Sequence, residues 1–114
     1  MPDQSPALWL FVWLFIWYIV NMRFEWDSDK DYANQLKHGV SFEEAQLAFA
    51  DPRRVIAIDH KHSVEGEKRY FCFGQTVRGV LTVRFTLRDN TVRIFGAGLW
   101  REGKRAYDRQ NKIS

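Results

Sequence analysis

The sequence predicts a single α+β domain, with helices packed on a mostly antiparallel sheet in the order β-α-α-β-β-β-β-α. Three observations carry this. The chain has 114 residues, 46% hydrophobic and 27% charged, which suffices for one core and is too little for two. Its C-terminal half holds consecutive runs of strand-forming residues joined by short turns, the pattern of an antiparallel meander. Between residues 27 and 50 lie two sets of helix start and stop signals.

Taken in order, Met22-Arg23-Phe24-Glu25-Trp26 alternates and stops at Asp27, a short opening strand. Asp27 or Ser28 then caps a helix over Asp29 to His38, with Tyr32, Leu36 and Ala33 as its expected inner stripe and Gly39 as its stop. Ser41-Phe42-Glu43-Glu44 fits a capping box and opens a second helix that presents Phe42, Ala45 and Phe49 on one face. Asp51-Pro52 closes it. Strands follow over Arg54 to Asp59, Glu67 to Gly74, Val80 to Arg88 and Thr91 to Ala97, with a polar loop at Asp59 to Ser63 and a turn at Asp89-Asn90. In the longest, Leu81, Val83, Phe85 and Leu87 share the face expected in the core, and Thr82, Arg84, Thr86 and Arg88 share the face expected in solvent. A last helix runs from Trp100 to Asn111, weakened at Gly103 by about 1 kcal/mol relative to alanine.

Ahead of this domain, residues 7–20 are apolar without a break, whereas every basic residue lies at or beyond Arg23. A bilayer-spanning helix needs roughly 20 apolar residues, so the stretch is too short. As a secretory signal it fails, because residues 1–6 carry Asp3 and no Lys or Arg, and no small-residue cleavage site follows. Three readings stay open: an interfacial anchor, an extra buried segment, or translation from an upstream codon with Met22 as the true start. The division is therefore an apolar extension over residues 1–21 and a domain over residues 22–114. Apolar on every side, the extension gives no periodicity to choose between strand and helix.

Composition excludes several function classes. The single cysteine, Cys72, permits neither an internal disulfide nor a cysteine zinc site, and the aromatic content excludes a disordered chain. No phosphate-binding glycine loop, H-E-x-x-H or G-x-S-x-G is present. The remaining polar groups suit phosphodiesters: Lys37-His38 at a helix end, His60 and His62 in one loop, Glu67 and Arg69 at a strand start, and Arg84, Arg88 and Arg93 on strands. Cleaving RNA through its own 2′-OH needs a base, cations for the phosphorane and an acid for the leaving oxygen, with no metal or cofactor. Each group also has a plain structural role. Lys37 and His38 can complement a helix dipole, Glu67 and Arg69 can form an ion pair, either loop histidine can be solvated, and Trp26 can be core.

Phe24-Glu25-Trp26-Asp27, Asn34, the run Lys37-His38-Gly39-Val40-Ser41-Phe42-Glu43-Glu44-Ala45 and Asp51-Pro52 closely resemble the opening of the BrnT family of bacterial toxins. His62-Ser63, Gly66-Glu67, Arg69, Gly74, Val83-x-Phe85-Thr86-x-Arg88 and Val92-Arg93-Ile94 match the same pattern, so the resemblance covers nearly all of residues 22–114 and none of 1–21. It implies a fold similar to RelE-type ribonucleases and a cytoplasmic toxin that cuts RNA and stops translation. The implied partner is a BrnA-like ribbon-helix-helix antitoxin, through which the complex would reach operator DNA; a membrane enters only if residues 7–20 are an anchor. Carried over by position, Lys37, His38, Glu67, Arg69, Arg84 and Arg93 are the catalytic candidates, with His38 or Glu67 as the proton-transfer group. Arg69, Arg84 and Arg93 are the expected phosphate clamps, and Arg88, Arg101 and His62 are substrate-binding candidates.

One departure stands out. The family pattern R-I-I-S-A-R is here Arg93-Ile94-Phe95-Gly96-Ala97-Gly98, without the serine and the second arginine. Arg101 or Lys104 is the expected substitute cation. A non-catalytic reading therefore stands beside the enzyme: an inactive homologue that binds an antitoxin or nucleic acid as a co-repressor.

Overall fold

The structure, a computed structural model, describes residues 9–14 and 21–112. The domain comprises β1 (Arg23–Trp26), α1 (Ser28–His38), α2 (Phe42–Ala45) running into a 3-10 turn (Gln46–Ala50), β2 (Val55–Ile58), β3 (Arg69–Thr76), β4 (Gly79–Arg88), β5 (Thr91–Gly98) and α3 (Arg101–Gln110). The order expected from sequence holds, and the sheet is more mixed than expected. Strands lie as β1-β5-β4-β3-β2; β2 to β5 form an antiparallel meander, but β1 joins β5 in parallel, Arg23 beside Thr91 and Trp26 beside Ile94. The connection from β1 travels through the helices and three other strands, and so arrives at the edge with its direction free of any hairpin constraint.

Residues 9–14 are helical, with Trp9, Leu10, Phe11 and Trp13 exposed; the rest of the 7–20 stretch lies outside the described residues. Among the described residues no helix is long and apolar enough to cross a membrane.

One sheet face carries the main core. Phe42, Ala45, Ala48 and Phe49, from α2 and its 3-10 continuation, bury against Cys72, Leu81, Val83, Phe85, Val92 and Ile94. Phe49 meets the rings of Phe24 and Phe85 edge-on at 5.2 and 5.1 Å, and Trp26 meets Phe42 at 6.3 Å, geometries that suit aromatic quadrupoles. Ser41 Oγ accepts from Glu44 N at 3.0 Å. Glu44 does not complete the capping box; its carboxylate takes Arg78 at 2.6 Å instead.

The inner stripe expected for α1 is corrected by the structure. Tyr32 and Leu36 are 66% and 72% exposed, and Ala33 is also outside. The face turned inward is polar: Asp31 Oδ1 accepts from Phe42 N at 2.8 Å, and Asn34, buried, bonds three backbone atoms. Hydrogen bonding to backbone outweighs the burial of two apolar side chains here, because β5 beyond Ile94 has exposed peptide groups that require partners.

On the opposite face, α3 packs over β2, β3 and β4. Tyr107 and Ala106 meet Phe73, Val80, Phe71, Val55 and Ala57. Thr82, expected in solvent, is therefore buried beneath α3; Thr86, expected there too, is buried with its Oγ1 donating to Lys68 O at 2.7 Å, whereas Leu87, expected in the core, is 53% exposed. Gly103 explains how α3 comes so close: a Cβ there would overlap Thr82 Oγ1 and press on the Phe73 ring. The weak helix former is the residue that lets the helix touch the sheet. Asp51 ties this face to the first, its Oδ2 accepting from Gln75 N at 2.8 Å and Tyr107 Oη at 2.6 Å.

Candidate functional site

β1 ends at Trp26, level with Ile94, so the last residues of β5 are paired with β4 on one side and have no strand on the other. The Asn34 amide takes that place. Its Nδ2 donates to Ala97 O at 2.9 Å and Val40 O at 2.8 Å, and its Oδ1 accepts from Ala97 N at 3.2 Å. Helix α1 is thereby fastened along the sheet edge, with Lys37 and His38 in its last turn beside β5. Gly39, at φ 69°, ends the helix in the left-handed region.

A second local feature aims β5. The β4–β5 register shifts between Arg84 and Phe85: Arg84 pairs with Gly96 but Phe85 with Ile94, which leaves Phe95 as the extra residue of a bulge. Its ring turns toward Arg69, whose Cζ lies 4.5 Å from the ring centroid, and Arg84, at 5.2 Å. Two guanidinium groups thus pack against one aromatic ring. At Gly96 a Cβ would come within 3.4 Å of Arg84 Cδ, so the small residue gives the arginine stem room.

Between α1 and this bulge lies a groove of about 340 Å³, lined by Lys30, Asn34, Lys37, His38, Arg84, Phe95, Gly96 and Trp100 among others. The His38 and Trp100 rings meet edge-on, centroids 5.1 Å apart. Three of the candidates, Lys37, His38 and Arg84, are therefore neighbours in space. Lys37 and Arg84 add positive charge on opposite walls.

Arg69 and Arg88 are joined by Glu67, whose Oε1 accepts from Arg69 Nε at 3.0 Å and whose Oε2 lies 3.8 Å from Arg88 Nη2. Arg93 lies 3.6 Å from Glu25 of β1. Arg84 differs from these three: among the described residues it makes no ion pair. Its charge acts at longer range on Asp59.

Asp59 is a residue the sequence reading passed over as a strand end. It is 5% exposed, and its Oδ2 holds His62 Nδ1 at 2.8 Å while Oδ1 accepts from His62 N at 3.2 Å. Burial alone would raise its carboxyl pKa, but the His62 ring and backbone hydrogen bonds, with the charges of His62 and Arg84, outweigh burial and hold it below its ordinary value. With Nδ1 engaged, the His62 imidazole keeps Nε2 for other partners. The i, i+3 spacing of Asp59 and His62 in a turn was the available signal. Ser63 completes the loop, its Oγ donating to Asp59 O at 2.7 Å and accepting from Arg69 N at 2.9 Å. His60 is exposed.

Arg101 lies elsewhere. It lines a separate cleft of about 700 Å³ beside α3, which meets the first groove only at Trp100. Neither expected substitute cation reaches the groove: Lys104 is paired with Asp108 at 2.6 Å on α3. What replaces the side chain missing at Gly98 is a ring, since a Cβ on Gly98 would fall 2.5 Å from Trp100 Cε2. Phe95 and Trp100 are the site residues that sequence reasoning missed.

Cys72 is buried among apolar side chains, which pushes its thiol up to about 12 despite the nearby Arg54 charge, and so it is no nucleophile at neutral pH. Among the described residues no three His, Cys, Asp or Glu side chains come together to hold a metal ion.

Comparison with known families gives the site its context. A family model described as "Ribonuclease toxin, BrnT, of type II toxin-antitoxin system" matches residues 26–103, and the chain belongs to that family. No curated protein matches the chain.

Proposed function

We propose that the protein is the toxin of a type II pair and cleaves RNA endonucleolytically in the groove between α1 and the β5 bulge. The observation that carries this reading is Arg84: a guanidinium in a groove with Lys37 and His38, with no ion pair among the described residues. A charge left without a carboxylate is available to a phosphodiester. In this reading Arg84, with Arg69 across the Phe95 ring, holds the non-bridging phosphate oxygens and offsets the charge of the phosphorane. His38 takes the 2′-OH proton, which leaves the attacking oxygen free to form the 2′,3′-cyclic phosphate while the 5′-oxygen departs with a proton from an acid. Glu67 orients Arg69 and Arg88, Arg93 is a further phosphate clamp, and His62, held by Asp59, contacts the RNA.

The fold on this reading is of the RelE kind, the toxin domain is residues 22–114, with residues 1–21 outside it, and the protein acts in the cytoplasm without a cofactor. Its antitoxin is a BrnA-like ribbon-helix-helix protein that covers the groove and carries the complex to operator DNA. A second reading, a non-catalytic binding partner, is favoured by one feature, the filling of the Gly98 position by Trp100 in place of a cation.

Induction of the full chain in a bacterial host, with growth and total RNA followed beside an Arg84→Ala variant, separates the two. Arrest with RNA fragmentation that the variant abolishes is the expected result. Intact RNA and unimpaired growth at confirmed expression would leave the binding module.

A further inference from the structure

The cleft beside α3 is not part of the groove just described, yet it shares a wall with it. Its floor is aromatic: Phe71 and Phe73 stack at 5.7 Å, with an interplanar angle of 17°. Its rim is basic. Arg101, Arg105 and Arg109 recur every four residues along α3 and so form one stripe about 12 Å long. All three are exposed, and among the described residues none makes an ion pair; the one carboxylate at the rim is Glu102. On the same helix Lys104, by contrast, is paired with Asp108 at 2.6 Å.

Trp100 is the shared wall. It occupies the volume that a side chain at position 98 would fill, edge-on to His38. An aromatic wall leading to an aromatic floor under a line of unpaired guanidinium groups is the arrangement that binds single-stranded nucleic acid. Bases stack on rings without regard to sequence, and cations follow the backbone.

We propose that this cleft is a subsite for a single-stranded RNA segment that flanks the scissile phosphodiester and crosses Trp100, with a base on Phe71 and phosphates on Arg101, Arg105 and Arg109. The proposal rests on the ribonuclease reading for its direction and on the cleft's own residues for its chemistry. The grip lost with the arginine absent at position 98 is thereby moved one nucleotide or more along the strand, and substrate length becomes the determinant of affinity. Arg101, expected from sequence in substrate binding, does so here and not in the groove.

The test uses the purified full chain, an unstructured RNA of ten nucleotides and a trinucleotide. Replacing Arg101, Arg105 and Arg109 together by alanine, all at exposed positions, should raise KM for the decamer by about tenfold or more and leave kcat and trinucleotide cleavage within about twofold. The slope of log affinity against log salt should fall by about 2 for three lost phosphate contacts. Phe71→Leu, which keeps the apolar floor and removes the ring, should raise the decamer KM by about fivefold or more, as loss of one stacked base requires. Unchanged decamer KM in both variants overturns the proposal. So does a triple variant that weakens an antitoxin complex while RNA kinetics stay the same, which would make the cleft a protein-docking surface. If the unsubstituted chain cleaves neither RNA, the ribonuclease reading fails, and fluorescence anisotropy of the labelled decamer decides the subsite: tenfold weaker binding by the triple variant upholds it, equal binding overturns it.

Discussion

The two faces of the sheet are built by different rules. On the first, α2 and its 3-10 continuation lay rings and methyl groups on Leu81, Val83, Phe85 and Ile94, and nothing charged intervenes. On the second, α3 covers Phe73 and Thr82 but stops short of Arg69, Arg84, Phe95 and Arg93, which are left half-exposed. The first face holds the domain together, and the second is free to be charged because it does not have to. The division runs along β4 itself, where each residue in turn serves one face or the other.

This contrast predicts opposite responses to mutation. The largest effect belongs to the charged face: Arg84→Ala should lower RNA cleavage by about 10² to 10³, the loss typical of one transition-state donor, with melting temperature nearly unchanged. Equal losses of activity and stability would break the distinction. On the apolar face, Leu81→Ala, at a fully buried position, should cost about 2 to 5 kcal/mol in denaturant unfolding.

Gly103→Ala sharpens the comparison where α3 meets the sheet. Helix propensity alone favours alanine by about 1 kcal/mol, but the added methyl would overlap Thr82 Oγ1. Overpacking of this kind costs about 1 to 3 kcal/mol, so the net change should be destabilising, read as a lower melting temperature. A stabilised variant would show that α3 can lift off its face.

A smaller effect is expected in acid. Burial raises the Asp51 carboxyl, but hydrogen bonds from Tyr107, Gln75 and Arg53 and the Arg53 charge hold it, like Asp59, below the ordinary 3.8. For both, the unfolded chain binds the proton first as pH falls. Their contribution is therefore complete above about pH 5 and is lost as pH drops below 3.8 toward the folded values. Asp51→Asn should flatten that acid limb in unfolding measurements, and an unaltered limb would remove Asp51 from the account. Smallest of all, Lys104→Ala, which opens an exposed ion pair on α3, should shift stability by no more than about 0.5 kcal/mol.

How much of this was legible in the sequence follows from which interactions are local. Caps at Asp27, Ser41 and Gly39 act within a few residues and could be read directly; the meander could be read from its turns. The parallel pairing of β1 could not, because its partner lies nearly 70 residues away and no short loop fixes its direction. The inner face of α1 was misread for a related reason: Asn34 gains its burial from the unpaired backbone of Ala97, a need that exists only once β1 has ended. At the site, motif positions name Lys37, His38 and Arg84 as candidates, and the fold makes them neighbours. Phe95 and Trp100 were invisible, since a bulge and the space above a glycine are properties of paired strands and not of spacing.

The most direct test of the central account is a cleavage assay on purified full chain with a defined single-stranded RNA, in the presence of a metal chelator, with Arg84→Ala beside it. The account predicts fragments ending in 2′,3′-cyclic phosphate from the unsubstituted protein, and a rate at least about a hundredfold lower from a variant that melts at the same temperature. Equal cleavage by the two proteins would contradict it.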